Sequence, residues 1–336
     1  MKNDAANLIC KKILESQRFV ITSHLRPDGD SICTSLALAF IGELLGKEVE
    51  IINKDNTPFP INLVPDIKKI KIGQIPPDKF DMVILLECAN VSRSGQKNIN
   101  DYFKINIDHH YSNDYYADIN WVDPETSAVA EMIYSLGEIL KVRFTPQIAN
   151  NLYYGIVSDT GSFQFSNTNA KSFEVCYKLI NHGASSIKVS ELLFSNNRPE
   201  KIKLLGQVLS TLQMNKKGNI ATITMFKKHL DSLNLKEVDT EDITTLARSI
   251  KGVEIILFFK EMEKDTFRVS IRSKGTAYAV FIAEYFGGGG HLNAAGFTVK
   301  GKYKNLLEEI PETVNKLLKK QPKTKVSDRQ KYSEPY

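Results

Sequence analysis

The sequence predicts an α/β protein in two parts, a parallel-sheet N-terminal domain followed by a smaller C-terminal α/β domain. Three observations carry this. Short apolar runs alternate with helix-patterned segments. Acidic and imidazole residues stand where several of those runs stop. A length of 336 residues is enough for roughly two domains.

Residues 19–24 form the first apolar run and read as a buried strand. Residues 30–45 follow as a helix with Ile32, Leu36, Phe40 and Leu44 on one stripe and Gly46 closing it. The runs at 49–52, 82–88 and 103–107 read as strands with little alternation, the pattern expected where helices cover both faces of a parallel sheet. Helices are predicted at 127–140, 146–158 and 170–182. Thr126 is placed to open the first, and Thr145 the second with Pro146 as its first helical residue. The first domain is thereby assigned to 1–183.

Helical patterns at 184–194 and 199–214, broken by Asn196-Asn197-Arg198-Pro199, define a linker over 184–215. The second domain, 216–318, reads as strands at 219–226, 253–259 and 267–272 with helices at 241–250 and 276–286. No long-period repeat is present.

A content of 42% hydrophobic and 25% charged residues is that of a globular chain. No apolar stretch reaches the roughly 18 to 20 residues of a membrane helix. Met1-Lys2-Asn3-Asp4 opens no secretory pattern, so a cytoplasmic protein that engages no membrane is expected. The cysteines, Cys10, Cys33, Cys88 and Cys176, form no Cys-x-x-Cys pair and imply neither disulfides nor zinc. Of the net charge of +5, residues 319–336 supply six Lys and Arg against Asp328 and Glu334, a net of +4. The body is nearly neutral, and 319–336 reads as a basic, disordered tail. Any anion must therefore be bound by local sites.

His24-Leu25-Arg26-Pro27-Asp28-Gly29-Asp30 puts one imidazole and two carboxylates directly after the first strand. Taken alone it also reads as a polar turn punctuated by Pro27 and Gly29. Glu87 ends the run at 82–86, Asp108-His109-His110 ends the run at 103–107, and Asp159 adds a fourth cluster. Open parallel sheets gather functional groups at the carboxyl ends of their strands, which is what one shared site requires. Carboxylates with imidazoles suit manganese or magnesium better than thiolate-preferring metals. Four of the six histidines fall in these clusters or in Gly287-Gly288-Gly289-Gly290-His291. That last segment reads either as a flexible loop or as a backbone nest for a phosphate, since residues without Cβ let N–H groups approach an anion.

His-x-x-Pro-Asp-Gly-Asp, Asp-His-His and the Gly-Gly-Gly-Gly-His segment together resemble the DHH phosphoesterase superfamily with its DHH-associated domain, over roughly residues 18 to 300. Within it the chain is most similar to the small two-domain members that act on nanoRNA and on 3′-phosphoadenosine 5′-phosphate. The resemblance implies an active site in the interdomain cleft and two Mn2+ ions, with Mg2+ as the alternative. It places His24, Asp28 and Glu87 on one ion and Asp30, Glu87, His109 and Asp159 on the other. Asp108 would orient His109, and His110 would face the phosphoryl group. Arg272, Ser273, Gly288, Gly289, Gly290 and His291 would hold the terminal phosphate of the substrate. Family members commonly carry Asp where this chain has Glu87, which leaves open whether the longer side chain bridges both ions.

Paired cations about 3.5 to 4 Å apart activate water and stabilise both oxygens of an in-line displacement at phosphorus, so hydrolysis is the expected reaction. Ser158 and Thr160 lie in no Gly-x-Ser-x-Gly elbow and read as turn residues, so no covalent intermediate is expected. Asn113, Ser127 and Arg93 lie near the clusters as candidates for substrate contact or for caps. Trp121, Tyr115 and Tyr116 read as core residues before stacking surfaces. A clamp at one end of the cleft favours short substrates. The expected partners are therefore short RNA and nucleotides, with the chain a monomer or homodimer. The rival enzymes are a RecJ-like single-strand exonuclease and a dinucleotide phosphodiesterase. A rival of another class is a nucleotide- or RNA-binding regulator whose site has lost activity.

Overall fold

The computed structural model of the chain describes residues 2–165, 167–236, 240–274, 279–291 and 293–320. It divides into two compact units, Met1–Asn196 and Asn197–Tyr336.

The first unit opens with helix α1 (Lys2–Glu15) and strand β1 (Arg18–Ser23). Helix α2 (Gly29–Leu44) and strands β2 (Glu48–Asn53), β3 (Ile70–Ile72), β4 (Met82–Leu86), β5 (Phe103–Asp108) and β6 (Ile119–Val122) follow. Helices α3 (Val129–Ile139), α4 (Pro146–Asp159), α5 (Ala170–Asn181) and α6 (Ser186–Phe194) complete it. The six strands form one parallel sheet in the order β3-β2-β1-β4-β5-β6.

Both faces of this sheet are buried, which is why the runs do not alternate. In β1, Phe19 and Ile21 join the large core built with α1 to α6, whereas Val20 points to the other face with Val83, Leu85 and Cys88. The α-helices cover only the first face, contrary to the sequence expectation. The second is closed by Val91 of the 3-10 turn Val91–Ser94 and by irregular chain that contributes Ile75, Phe80, Ile99 and Tyr102; around Ile75, Gly73, Pro76 and Pro77 disfavour a helix. Residues 29–42 of α2 are buried all round, and Ser31, Thr34, Ser35, Ala37 and Ala39 keep its girth small enough for that. Leu44, assigned to the apolar stripe, is instead 54% exposed.

The second unit contains helix α7 (Pro199–Leu209), strands β7 (Gln213–Met214) and β8 (Ile220–Met225), and helices α8 (Lys227–Asp231) and α9 (Glu241–Arg248). Strands β9 (Ile255–Glu263) and β10 (Thr266–Ser273), helix α10 (Ala279–Tyr285), strands β11 (Gly289–His291) and β12 (Ala294–Lys300), and helix α11 (Tyr303–Lys320) follow. Its mixed sheet runs β11-β12-β10-β9-β8-β7, and only the β8–β9 pair is parallel. Leu257 and Phe259 pack toward α10 and α11, while Ile256 and Phe258 pack with Leu204 and Val208 of α7.

The stretch 184–215 is not one linker. Val189 of α6 sits in the core of the first unit, whereas α7 belongs to the core of the second and ends at Leu209, its last predicted residues forming β7. Residues 321–336 of the expected tail and 276–278 of the expected helix lie outside the described residues. Among the described residues, no helix is long and apolar enough to cross a membrane.

Candidate active site

Strand register explains why distant residues meet. Ser23 pairs with Leu86 and Leu86 with Ile107, so His24, Glu87 and Asp108 come next at one level of the strands β1, β4 and β5. Strand β4 lies between the other two, and Glu87 therefore follows the middle strand. Its backbone turns into the left-handed region at φ 57°, while its N–H still donates to the Ile107 carbonyl at 3.0 Å.

The turn after His24 is shaped by helix caps. The Asp28 side chain caps α2, its Oδ1 accepting from Ser31 N at 3.0 Å. Asp30 Oδ1 accepts from Thr34 Oγ1 at 2.6 Å and Ala130 N at 3.2 Å, and Oδ2 from Val129 N at 2.6 Å. A carboxylate from α2 thus caps α3, the role the sequence had given to Thr126. Glycine is required between the two acids, since a Cβ at Gly29 would stand 2.3 Å from Ser158 Oγ on α4. Gly155 is required for the same reason, its Cβ position lying 2.4 Å from Asp30 Oδ1.

Both histidines on either side of Glu87 have a fixed tautomer. A carbonyl oxygen only accepts, so His24 Nδ1–H donates to Leu25 O at 2.8 Å and His109 Nδ1–H to Thr126 O at 3.1 Å. Each Nε2 is then turned toward carboxylates. His24 Nε2 lies 3.6 Å from Asp28 Oδ2 and 3.7 Å from Glu87 Oε2. His109 Nε2 lies 3.6 Å from Glu87 Oε1 and 3.7 Å from Asp159 Oδ2.

These gaps are too long for hydrogen bonds. They are close to what one cation imposes, because two donors about 2.1 Å from an ion, at an angle of about 120°, stand about 3.6 Å apart. Ligand atoms of His24, Asp28 and Glu87 all lie within 4.8 Å of one another. Glu87 is 1% exposed, and its Oε1 has no hydrogen-bond partner. Such a buried, unmet oxygen is costly unless a cation or proton meets it. Four carboxylates, Asp28, Asp30, Glu87 and Asp159, share the site, a charge that two divalent ions would balance.

Without a cation, protons take that part. Burial, then the charges of Asp30 and Asp28, push the Glu87 carboxyl well up. Burial and Asp30 push Asp159 up to about 7. Burial lowers His109, but Asp159 and Asp30 outweigh it and leave the ring raised.

Asp108 is fully buried and saturated: Oδ1 accepts from His109 N at 2.8 Å and His110 Nδ1 at 2.6 Å, and Oδ2 from Asn113 Nδ2 at 2.6 Å. It fixes the His110 ring and the His109 backbone, while Thr126 holds the His109 ring. Asn113 also reaches Asn106 Oδ1 at 2.7 Å, so its role is support. Asn106 was missed, although a polar residue in the apolar run Phe103-Lys104-Ile105-Asn106-Ile107 was a readable signal. Asn167 was missed too; its Nδ2 donates to Asp159 Oδ2 at 3.3 Å across a loop that no periodicity marks. Ser127 donates to Glu131 instead of opening a helix. Trp121 is core, Tyr116 bonds Cys88 O, and Tyr115 is exposed.

The remaining candidates lie in the second unit. Arg272 pairs with Ala294 and Ala294 with His291, which puts Arg272, Ser273 and His291 at one end of three strands. Ser273 Oγ donates to Asn293 Oδ1 at 3.0 Å. The glycine segment is an edge strand rather than a loop: Gly287 ends α10 at φ 74°, and Gly289–His291 pairs with β12. A Cβ at Gly288 would fall 2.1 Å from Gly296 O, so glycine there serves close strand packing.

A parallel sheet whose strand ends gather imidazoles and carboxylates within reach of one ion forms a candidate metal centre. Residues 18–156 match the DHH family, N-terminal domain, and residues 217–320 the DHHA1 domain. The chain is 33% identical to the bifunctional oligoribonuclease and PAP phosphatase NrnA of Thermus thermophilus, over 88% of this chain and 90% of that one. It is 28% identical to a probable bifunctional oligoribonuclease and PAP phosphatase NrnA of Streptococcus mutans, over 94% and 99%. An exopolyphosphatase-related protein of Bacteroides fragilis superposes with a TM-score of 0.84 at 24% identity, covering 95% of this chain and 98% of that one. This chain belongs to the DHH family of phosphoesterases.

Proposed function

We propose that this chain hydrolyses short oligoribonucleotides to mononucleotides and 3′-phosphoadenosine 5′-phosphate to AMP, in the cytoplasm, with two Mn2+ ions and Mg2+ as a substitute. The observation that carries the reading is the Glu87 carboxylate, one oxygen toward His24 and Asp28, the other toward His109. When bound, such ions supply Lewis acidity toward water and the phosphoryl oxygens.

The chain's own groups then have distinct roles. His24, Asp28 and Glu87 would hold one ion, and Asp30, Glu87, His109 and Asp159 the other. The carbonyls of Leu25 and Thr126 keep both Nδ1 atoms protonated, leaving both Nε2 lone pairs for metal. With Nδ1–H committed to Asp108, His110 presents Nε2 to the phosphoryl group and, when protonated, donates to it. Arg272, Ser273, Gly288, Gly289, Gly290 and His291 are the groups assigned to the terminal phosphate of the substrate. The relatives' printed activities and the match to both domains support the substrate class.

The test compares two-nucleotide RNA, longer RNA, single-stranded DNA and 3′-phosphoadenosine 5′-phosphate under one Mn2+ condition. Fast release of mononucleotide from the shortest RNA, and phosphate from the nucleotide, is expected. Equal rates on long DNA point to a RecJ-like exonuclease, and no turnover with metal bound points to a regulator.

A further inference from the structure

Helix α5 is apolar on two adjacent faces. Ser172, Val175, Cys176 and Leu179 are buried, the single inward face an amphipathic helix needs. Phe173, Tyr177 and Ile180 follow at i, i+4 and i+7 on the neighbouring strip, yet they are 46% to 68% exposed. The Phe163 ring stacks on Phe173 with 4.9 Å between centroids and carries the apolar surface to a groove along α6, where Ile187 and Phe194 are exposed as well. All of these residues belong to the first unit. With aromatic side chains offering roughly 150–250 Å² each, the exposed parts come to roughly 500 Å², the upper range of apolar patches on a monomer. That is also the apolar share of a standard interface of about 800 Å² per partner.

We propose that this face is an interface between two copies of this chain, in which α5 packs antiparallel against α5 of the second copy about a twofold axis. The charges beside the strip select both the occupant and its direction. Lys171, Glu174 and Lys178 lie on the exposed side beyond Tyr177, with Lys178 Nζ 2.8 Å from Glu174 Oε1 along the helix. A twofold contact pairs residue i with j and j with i. With the axis between Cys176 and Tyr177, Phe173 meets Ile180 of the second copy and Ile180 meets its Phe173. On the same rim Glu174 comes beside Lys178 of the second copy, and Lys178 beside its Glu174. A parallel pair would instead oppose Glu174 to Glu174 and Lys178 to Lys178. The charges of α5 and the groove, Lys171 and Lys178 against Glu174 and Glu191, balance, so an anionic membrane gains little attraction here.

Sedimentation equilibrium on the full chain tests the proposal. A dimer at about 10 µM is expected. Tyr177 is 68% exposed, so Tyr177→Glu leaves the fold intact, and it raises the dissociation constant about 100-fold. Glu174→Lys alone and Lys178→Glu alone each weaken self-association about tenfold, because like charges then oppose across the axis. An equal mixture of those two variants associates as tightly as the parent, since both contacts regain opposite signs. A parent chain that stays monomeric up to about 100 µM overturns the interface, whether its α5 face is then found covered by the second unit or bound to neutral or anionic vesicles. A dimer that Tyr177→Glu leaves intact overturns it too. A dimer broken by Tyr177→Glu but indifferent to both charge reversals overturns the antiparallel arrangement.

Discussion

Glu87 Oε1 lies 3.6 Å from His109 Nε2, buried, with no hydrogen bond to meet it. The other oxygen of the same carboxylate faces His24 at 3.7 Å. Because β4 lies between β1 and β5, the residue after it faces both histidines. The longer side chain does not prevent this reach, and the backbone at Glu87 is left-handed at φ 57°.

Glu87→Gln keeps the shape but removes half of the carboxylate's donor capacity. Turnover is expected to fall about 10²- to 10³-fold, as when one strong electrostatic contact is lost. Glu87→Asp retains more activity than Glu87→Gln, because charge is kept and Asp tolerates a positive φ. Single-turnover rates at saturating Mn2+ check the order.

Asp159 gives a pH signature. Its folded pKa of about 7 stands above the ordinary 3.8, so between these values the metal-free fold holds a proton that the unfolded chain releases. Stability from this group is therefore present at low pH and lost as pH rises toward 7. Urea unfolding in chelator across pH 4.5 to about 8 should show a shallower decline in Asp159→Asn than in the parent. Cation binding should release protons at pH 6 and fewer at pH 8.5, readable by calorimetry in two buffers of different ionisation heat.

Asp108 touches no candidate cation ligand atom but holds the His110 ring. Asp108→Asn is expected to lower kcat about 10- to 100-fold while changing Mn2+ affinity less, the behaviour of an outer partner. Equal losses in both would place Asp108 on the metal.

Gly29→Ala inserts a methyl where Ser158 Oγ already stands at 2.3 Å from the Cβ position. Overpacking of this kind costs about 1 to 3 kcal/mol, and the displaced Asp28 and Asp30 should weaken Mn2+ binding as well. Denaturant midpoints and metal titrations of the same variant check both effects.

The sequence disclosed the strands and the ligand-bearing strand ends because a buried parallel strand leaves a continuous apolar mark and a site residue interrupts it. It did not disclose Thr126 as the acceptor for His109, since a backbone carbonyl carries no residue signal. It misassigned the opening of α3, whose cap comes from Asp30, 99 residues away from Val129. Short edge strands such as β11 were invisible for a related reason: glycines read as loop until the pairing with β12 is known.

The most direct measurement is the stoichiometry and mutual distance of bound Mn2+, by calorimetry and electron paramagnetic resonance on the full chain. The account predicts two ions per chain with a spin-coupled spectrum, reduced to an uncoupled signal or a single ion in Glu87→Gln. One ion, or two uncoupled ions in the parent chain, would contradict it.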